Sequence, residues 1–191
     1  MSPAPSIAHF ESLYRRADDP WRFATSAYEA FKYDRTLEAL GARRYRRALE
    51  VGCSIGVFTE RLAGLCDDLV AVDVSPTALR RARQRLRGLP HVHVQQRKLP
   101  EQTPPGPFDL IVCSEVLYYW PPARLAQAQR AFEQALAPGG SLLSVHWRGR
   151  AASHALSGDQ VHRRLLANTR LEPAVAHCER RFRLDRLDRT R

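Results

Sequence analysis

The chain has 191 residues, a formal net charge of +10, and 28 arginines against two lysines. This length suits one domain with a sizeable core, and 44% hydrophobic with 26% charged residues is a globular composition. The first residues lack the apolar core of a secretory signal, and no apolar run approaches the ~20 residues that cross a bilayer. We therefore expect a cytoplasmic protein, and its four scattered cysteines predict reduced thiols rather than a zinc site.

Hydrophobic patterning predicts strands that alternate with helices along most of the chain. Residues 1–45 precede the first strand and have room for two helices that form a cap. Alternating strands and helices indicate a mostly parallel sheet covered by helices. We therefore expect one domain over residues 1–191 with an α/β fold, a three-layer αβα sandwich around a seven-stranded sheet. Strands are predicted at 47–51, 68–75 and 91–95, from 108, and at 141–147, with a hairpin at 174–188.

The stretch LEVGCSIGVFTERLA, residues 49–63, is a strand that runs into two glycines and then into a helix. A phosphate-binding P-loop needs a lysine that this turn lacks, and the dinucleotide motif needs the spacing G-x-G-x-x-G. The run GCSIG matches instead the E/D-x-G-x-G-x-G loop of S-adenosylmethionine (SAM) methyltransferases, with Ser54 in place of the middle glycine. Glu50 then orients the loop or reaches the methionine ammonium through water. A tight turn without a ligand is the alternative.

An acidic residue ends the next predicted strand. Asp73 closes this strand, 17 residues after Gly56. A carboxylate at this place accepts hydrogen bonds from both hydroxyls of a ribose, as it does in dinucleotide-binding enzymes. Capping of the following helix is the alternative, but Ser75 is already a suitable cap. The loop and the acid together predict a SAM-binding fold.

Several longer stretches carry a resemblance that covers nearly the whole chain. They are DPW at 19–21, YEAFKY at 28–33, the glycine loop, FDLIVCSEVLYYW at 108–120, PGGSLLSVHWRG at 138–149 and the C-terminal RLD. In these stretches the chain resembles the SAM-dependent methyltransferases of the nodulation-protein NodS type. The resemblance implies the class I methyltransferase fold, SAM as methyl donor and S-adenosylhomocysteine (SAH) as product. NodS prototypes N-methylate the free amine of a deacetylated chitooligosaccharide, so a small-molecule amine such as an amino sugar is the expected acceptor.

The resemblance also implies which residues hold SAM. Many members of the wider superfamily bind the adenine amino group with an aspartate at the place of Lys98, so we expect backbone groups of Lys98 and Leu99 to hold adenine here. Aromatic residues before the first strand form either a lid over SAM, as the resemblance implies, or a core stripe. The expected cofactor-binding residues are Glu50, Gly52, Cys53, Ser54, Gly56, Asp73, Val74, Lys98, Leu99, Ser114, Trp21 and Tyr33.

Methylation of an amine requires a neutral nitrogen, because an ammonium has no lone pair, and a carboxylate, histidine or tyrosine can accept the proton. Glu115 and His146 end predicted strands, and the carboxyl ends of such strands carry the ligand sites of parallel sheets. His146 is our first candidate for the base or a substrate contact, and Glu115 and Tyr118 are the other catalytic candidates. Each has a structural alternative: a solvent-facing Glu115, a core Tyr118 and a structural His146.

Two other functions remain open at this point. The charge of +10 raises the possibility of an RNA or tRNA methyltransferase. Against it, the arginines are spread along the whole chain, no separate RNA-binding domain fits in the length, and no N/D-P-P-Y motif is present, so we do not expect a nucleic-acid partner. A non-catalytic SAM-binding module is the third reading. The sequence leaves the oligomeric state open.

Overall fold

The computed structural model describes residues 5–190 and contains two compact units. The first unit is Ser6–Arg97, and the second comprises Pro5 and the described residues from Lys98 onward. Seven strands in the described part of the chain form one sheet in the order β3-β2-β1-β4-β5-β7-β6. The predicted fold class, a mostly parallel seven-stranded sheet with helices, is confirmed. That residues 1–191 act as a single domain stays a prediction.

The first unit contains three parallel strands and the helices between them. Two helices precede its first strand, as predicted from the sequence. Strand β1 pairs with β2, and β2 pairs with β3, each in parallel. Its elements are α1 (Ile7–Arg16), α2 (Ala27–Leu40), β1 (Ala48–Val51), α3 (Val57–Leu62), β2 (Leu69–Asp73), α4 (Pro76–Arg85) and β3 (Val92–Gln96).

Burial explains why β2 is an apolar run up to Asp73 and why β1 is apolar except at Glu50. Every residue of β1 and the first four residues of β2 are buried. Strands covered on both faces favour apolar side chains on both faces, so they do not alternate. Serine caps then start the helices beside them: the side chains of Ser6, Ser26 and Ser75 accept backbone N–H bonds at the N-termini of α1, α2 and α4.

The second unit combines parallel and antiparallel pairing. Strand β4 pairs with β5 in parallel, and β7 lies antiparallel between β5 and β6. The predicted C-terminal hairpin is therefore confirmed. Its elements are β4 (Phe108–Ser114), α5 (Pro122–Ala135), β5 (Leu136–Trp147), α6 (Gly158–Asn168), β6 (Glu172–Cys178) and β7 (Phe182–Asp188), with a short 3₁₀ turn at Leu117–Tyr119.

One boundary differs from the sequence-based expectation. The strand expected at 141–147 begins earlier, at Leu136, because helix α5 ends at Ala135 and the Pro-Gly-Gly run at 138–140 already belongs to β5. The Gly139 N–H donates to the Arg189 carbonyl and the Arg189 N–H donates to the Gly140 carbonyl. Backbone pairing with a distant segment thus extends the strand through residues that locally favour a turn.

Three general features bear on function. No helix among residues 5–190 is long and apolar enough to cross a membrane. Within the same residues, no group of three or more His, Cys, Asp and Glu side chains is arranged to hold a metal ion. All four cysteines are free thiols.

Candidate active site

The turn after β1 has left-handed backbone at three residues. The φ angles are 78° at Gly52, 53° at Ser54 and 81° at Gly56. A Cβ atom on Gly56 would lie 3.1 Å from Cδ1 of Leu86 and 3.3 Å from Ala82, so α4 packs directly against this backbone. Glycine is required at position 56 both for its conformation and for this close approach. Ser54 replaces the middle glycine of the pattern, and its backbone has a left-handed conformation that residues other than glycine rarely adopt.

Asp73 joins this turn to the start of α4. Its Oδ2 accepts the N–H of Ser54 at 3.0 Å, and its Oδ1 accepts the N–H of Ser75 at 2.9 Å. Burial raises the pKa of the Asp73 carboxyl, and the hydrogen bonds from Ser75 and Ser54 oppose that rise. Each carboxylate oxygen keeps a second lone pair for another donor. Asp73 is therefore a structural brace of the turn, with acceptor capacity left for a ligand.

Glu50 is a buried acid with an unsatisfied oxygen. Its exposed fraction is 3%, and its Oε2 has no hydrogen-bond partner among the described residues. Burial raises the pKa of the Glu50 carboxyl to about 7. A buried carboxylate oxygen without a donor is costly, and a cation or N–H donor from a ligand would satisfy it. The first unit thus contains a buried carboxylate oxygen without a hydrogen-bond partner in the described part of the chain, directly before the glycine turn.

The N-terminal helix α1 is tied to the same turn by hydrogen bonds. The Tyr14 hydroxyl donates to Oγ of Ser54 at 2.6 Å in a buried contact. Glu11 accepts the hydroxyls of Ser75 and Thr77, each at 2.6 Å. Burial opposes the charge of Glu11, but the hydrogen bonds from Ser75 and Thr77 outweigh it and lower its pKa to about 2. Sequence reasoning did not single out Glu11 or Tyr14, because nothing in α1 itself indicates this partner.

Two aromatic residues expected in the cofactor site have different surroundings. Trp21 packs edge-on against Tyr14, with ring centroids 5.4 Å apart, beside the core cluster that includes Ile55 of the turn. Tyr33 has an exposed fraction of 6% and stacks on Phe58 of α3 at 5.1 Å. Trp21 therefore lies next to the turn, whereas Tyr33 is buried in the core against α3.

The remaining cofactor candidates of the first unit flank the turn. Cys53 is buried, and burial raises the pKa of its thiol well above the usual range. It is therefore an inert, protonated thiol. The Val74 carbonyl accepts a hydrogen bond from the Gln96 side chain at 3.1 Å. Neither residue has a side-chain group that would recognise a ligand, so any contribution from them comes from the backbone.

In the second unit, some of the backbone groups expected to hold adenine have hydrogen-bond partners within the protein. The Lys98 N–H donates to Oε1 of Gln102 at 2.7 Å, and the Leu99 carbonyl accepts a hydrogen bond from Arg124. The Lys98 side chain is exposed and Leu99 is buried. These bonds occupy the Lys98 N–H and one lone pair of the Leu99 carbonyl, and the role of Lys98 and Leu99 at adenine stays a prediction.

Glu115 follows Ser114, the last residue of β4, with a left-handed φ of 56°. Its carboxylate accepts the Trp147 N–H at 3.1 and 3.0 Å, and its Oε2 accepts the Tyr118 hydroxyl at 2.7 Å. The strained backbone and these bonds hold the carboxylate in one place, which argues against the solvent-facing alternative. Burial and the nearby Glu115 charge raise the pKa of Tyr118 well above its usual range, so this phenol stays neutral.

His146 is completely buried, and both of its ring nitrogens are engaged. The Leu117 N–H donates to Nε2 at 3.2 Å, and Nδ1 lies 3.1 Å from Nε2 of His162. Nδ1 of His162 lies 2.7 Å from Oδ2 of Asp185. A backbone N–H only donates, so Nε2 of His146 is the acceptor and carries no proton. Nδ1 of His146 therefore donates to His162, and Nδ1 of His162 donates to Asp185. This corrects the expectation that His146 takes the substrate's proton; it positions the Leu117–Tyr119 turn.

An aromatic cluster is joined to the Glu115 carboxylate through the Tyr118 hydroxyl, and sequence reasoning missed one of its members, His154. We define this aromatic cluster as Tyr118, Tyr119, Trp147 and His154. The His154 ring stacks on Tyr118, with centroids 3.9 Å apart and an interplanar angle of 16°. His154 lies in the loop between β5 and α6, where no local pattern marks it, and its position depends on the Leu156 N–H bond to the Tyr118 carbonyl.

The strand order, the glycine turn and the acid after β2 define the class of protein: this is the fold of class I SAM-dependent methyltransferases. The model of the Nodulation protein S (NodS) family matches residues 9–168. The chain therefore belongs to the NodS family.

Individual relatives agree with this assignment. Nodulation protein S of Sinorhizobium fredii is 36% identical over 141 residues, which cover 72% of this chain and 65% of that protein. The Bradyrhizobium diazoefficiens protein of the same name is 45% identical over 113 residues, which cover 53% of this chain and 49% of that protein. The chain thus spans about half to two thirds of the length of these relatives. The crystal structure of N-methyltransferase NodS from Bradyrhizobium japonicum WM9 in complex with SAH has a TM-score of 0.85 at 30% identity, covering 95% of this chain and 98% of that one.

Proposed function

We propose that this protein transfers a methyl group from SAM to an amine nitrogen of a small molecule such as an amino sugar or a deacetylated oligosaccharide. The observation that carries the proposal is the buried, unsatisfied Oε2 of Glu50 beside the glycine turn that Asp73 braces. The NodS relative that was solved with SAH supports the choice of cofactor. Membership of the NodS family supports an amine as acceptor.

The residues of the first unit fit the parts of SAM. Glu50 supplies an acceptor for the methionine ammonium, directly or through water, and Asp73 has lone pairs left for the ribose hydroxyls. The left-handed backbone at Gly52, Ser54 and Gly56 shapes the turn, and Gly52 presents no side chain to the amino-acid part of SAM. Bound SAM supplies an activated methyl group, so the protein has mainly to align the acceptor and exclude water.

In the second unit, Glu115 is the residue proposed to attract the acceptor. Its carboxylate favours the approach of a protonated amine, which is the dominant form of most amines at neutral pH. Tyr118 acts through Glu115, because its neutral hydroxyl donates to Oε2 and fixes the carboxylate's orientation. His146 is one step further away and holds the backbone of the turn that carries Tyr118. We therefore assign Glu115 to the acceptor site and Tyr118 and His146 to positioning.

Calorimetry with SAH tests the cofactor half of the proposal. Asp73→Asn should weaken SAH binding by about 1–3 kcal/mol, because an amide cannot accept from every donor that the carboxylate serves. Asp67→Asn is the matched control, since Asp67 pairs with Arg44 at an exposed position. Absence of SAH binding to the wild-type protein would refute the proposed cofactor.

Methyl transfer to a panel of amines tests the acceptor half. The panel starts with the β-1,4-linked glucosamine tetramer and includes its fully N-acetylated counterpart, which has no free amine. Formation of SAH with the first and not with the second supports an N-methyltransferase, and Glu115→Gln should reduce it. SAH binding without transfer to any amine would favour a non-catalytic SAM-binding module.

The charge of the chain does not favour RNA as the acceptor. Many arginines are already paired with carboxylates at the surface, including Arg44 with Asp67 and Arg85 with Glu60. Such pairs reduce the charge that is free to contact phosphates. Binding to bulk tRNA that weakens steeply with salt would revive the RNA alternative.

A further inference from the structure

His154 combines deep burial with an unused polar atom. Its exposed fraction is 9%, and its Nδ1 has no hydrogen-bond partner within the described part of the chain. Its ring is held by aromatic contacts instead: it stacks on Tyr118 at 3.9 Å and meets Tyr119 edge-on at 5.1 Å and Trp147 edge-on at 6.1 Å. Stacking fixes the plane of the ring and leaves Nδ1 unpaired. A hydrogen bond from a polar group of a ligand would remove the free-energy cost of burying this unpaired nitrogen.

The loop that carries His154 is anchored on both sides. The His154 N–H donates to the Ala151 carbonyl at 3.0 Å, and the Leu156 N–H donates to the Tyr118 carbonyl at 3.0 Å. Two residues later, Ser157 starts α6 with a reciprocal capping box that includes Gln160. The imidazole is therefore held in place before any ligand arrives, as a proton acceptor needs to be.

The charged and titratable groups around His154 come from several elements. Glu115, which follows β4, is the charged group among these neighbours. Tyr118 and Tyr119 are neutral phenols, since burial raises both pKa values, that of Tyr119 to about 12. His146 of β5 lies edge-on to Tyr118 with both nitrogens occupied. Burial lowers the pKa of His154 and Glu115 opposes that shift, so the imidazole is neutral at physiological pH.

We propose that Nδ1 of His154 takes the proton from the ammonium group of the acceptor, and that the Glu115 carboxylate stabilises the imidazolium that forms. This proposal rests on the proposed amine methyltransferase function. In the step, one N–H bond of the ammonium breaks and its electron pair stays on the nitrogen, while the proton forms a bond to Nδ1. The freed electron pair is the one that then receives the methyl group. The ligand class is a primary amine that is protonated in solution.

Two variants separate a proton acceptor from a structural ring. His154→Phe keeps a flat ring for the stack on Tyr118 but has no nitrogen. His154→Asn puts an amide near the place of Nδ1, which can accept a hydrogen bond but cannot take a proton. His93→Phe, at a half-exposed position of β3 outside the proposed site, is the control that should behave as wild type.

The test measures transfer to the glucosamine tetramer across a pH series. For His154→Phe we expect kcat/KM to fall by about 10²–10⁴-fold at neutral pH and to recover towards wild type at alkaline pH, where the amine has already lost its proton. His154→Asn should restore KM but not kcat at neutral pH. A deficit of equal size at every pH would assign His154 a structural role and overturn the proposal. Wild-type kinetics in His154→Phe would overturn it as well.

A second readout does not depend on turnover. In the SAH complex, with isotope-labelled histidine, NMR should show a change at His154 Nδ1 when the glucosamine tetramer is added and none with the N-acetylated tetramer. No change with either tetramer, while the wild type methylates the amine, contradicts the inference alone. No SAH binding and no transfer to any amine would instead contradict the proposed function, and this inference with it.

Discussion

The hydroxyl of Tyr14 donates a hydrogen bond to Oγ of Ser54 at 2.6 Å, across 40 residues of sequence. One partner belongs to the N-terminal helix and the other is the residue that replaces the middle glycine of the cofactor loop. Both are buried, so water does not compete for the bond. The serine that departs from the glycine pattern is thus held by a hydrogen bond from a residue outside the loop.

This pair predicts a coupling that a double-mutant cycle measures. Tyr14→Phe and Ser54→Ala should each lower the free energy of unfolding by about 1 kcal/mol and weaken SAH binding, because each removes the same buried hydrogen bond. The double variant should cost little more than either single variant. Fully additive effects on unfolding and on SAH binding would mean that the bond is not formed in solution.

A glycine pair tests the requirement at the end of the loop. Gly56→Ala should destabilise the protein by about 1–2 kcal/mol, because φ is 81° and the new Cβ would press on Leu86 and Ala82. Gly64→Ala is the matched control, since a Cβ there meets nothing within 4 Å. The measurement is urea unfolding of both variants. Equal stability of the two variants would contradict the close approach of α4.

Glu50 should make stability and SAH binding depend on pH. Burial raises its folded pKa from 4.5 to about 7, so the ligand-free protein loses stability as pH rises from 4.5 through 7. A bound ammonium favours the ionised form and lowers this pKa again, so SAH binding near neutral pH should release protons. Calorimetry in buffers of different ionisation enthalpy measures that release. Glu50→Gln should abolish it; unchanged proton release in this variant would place the titrating group elsewhere.

His146 should behave as a positioning residue. His146→Gln should lower the free energy of unfolding by about 1–3 kcal/mol, because it disrupts a buried chain that links Leu117, His162 and Asp185. It should reduce methyl transfer by a similar factor at every pH. A stable His146→Gln protein whose activity recovers only at alkaline pH would return the role of base to His146.

The N-terminal segment should respond to the cofactor. The bonds from α1 to the turn around Ser54 and Ser75 predict that amides of α1 exchange more slowly once SAH is bound. Hydrogen exchange with and without SAH measures this, with strand β6 as an internal reference. Equal exchange of α1 in both states would rule out a closing lid.

Much of the framework of this protein could be predicted from its amino-acid sequence. Apolar runs, glycines with a fixed spacing and serine caps act within short windows, so β1, the glycine turn, Asp73 at the end of β2 and the two N-terminal helices were all predictable. The family resemblance was equally readable, because it lies in contiguous stretches such as SEVLYYW and HWRG. These signals are local, and local backbone preferences decide them.

The roles of the individual polar side chains depend on contacts that form only in the folded protein. His146 was expected to be a base, but its nitrogens are taken by Leu117 and by His162, which are 29 and 16 residues away in sequence. His154 has no local signature, and its unpaired Nδ1 follows from stacking on Tyr118, 36 residues earlier in the chain. Hydrogen-bond partners and burial depend on which distant segments meet, and this is the physical reason why residue types and spacing alone cannot assign the proton acceptor.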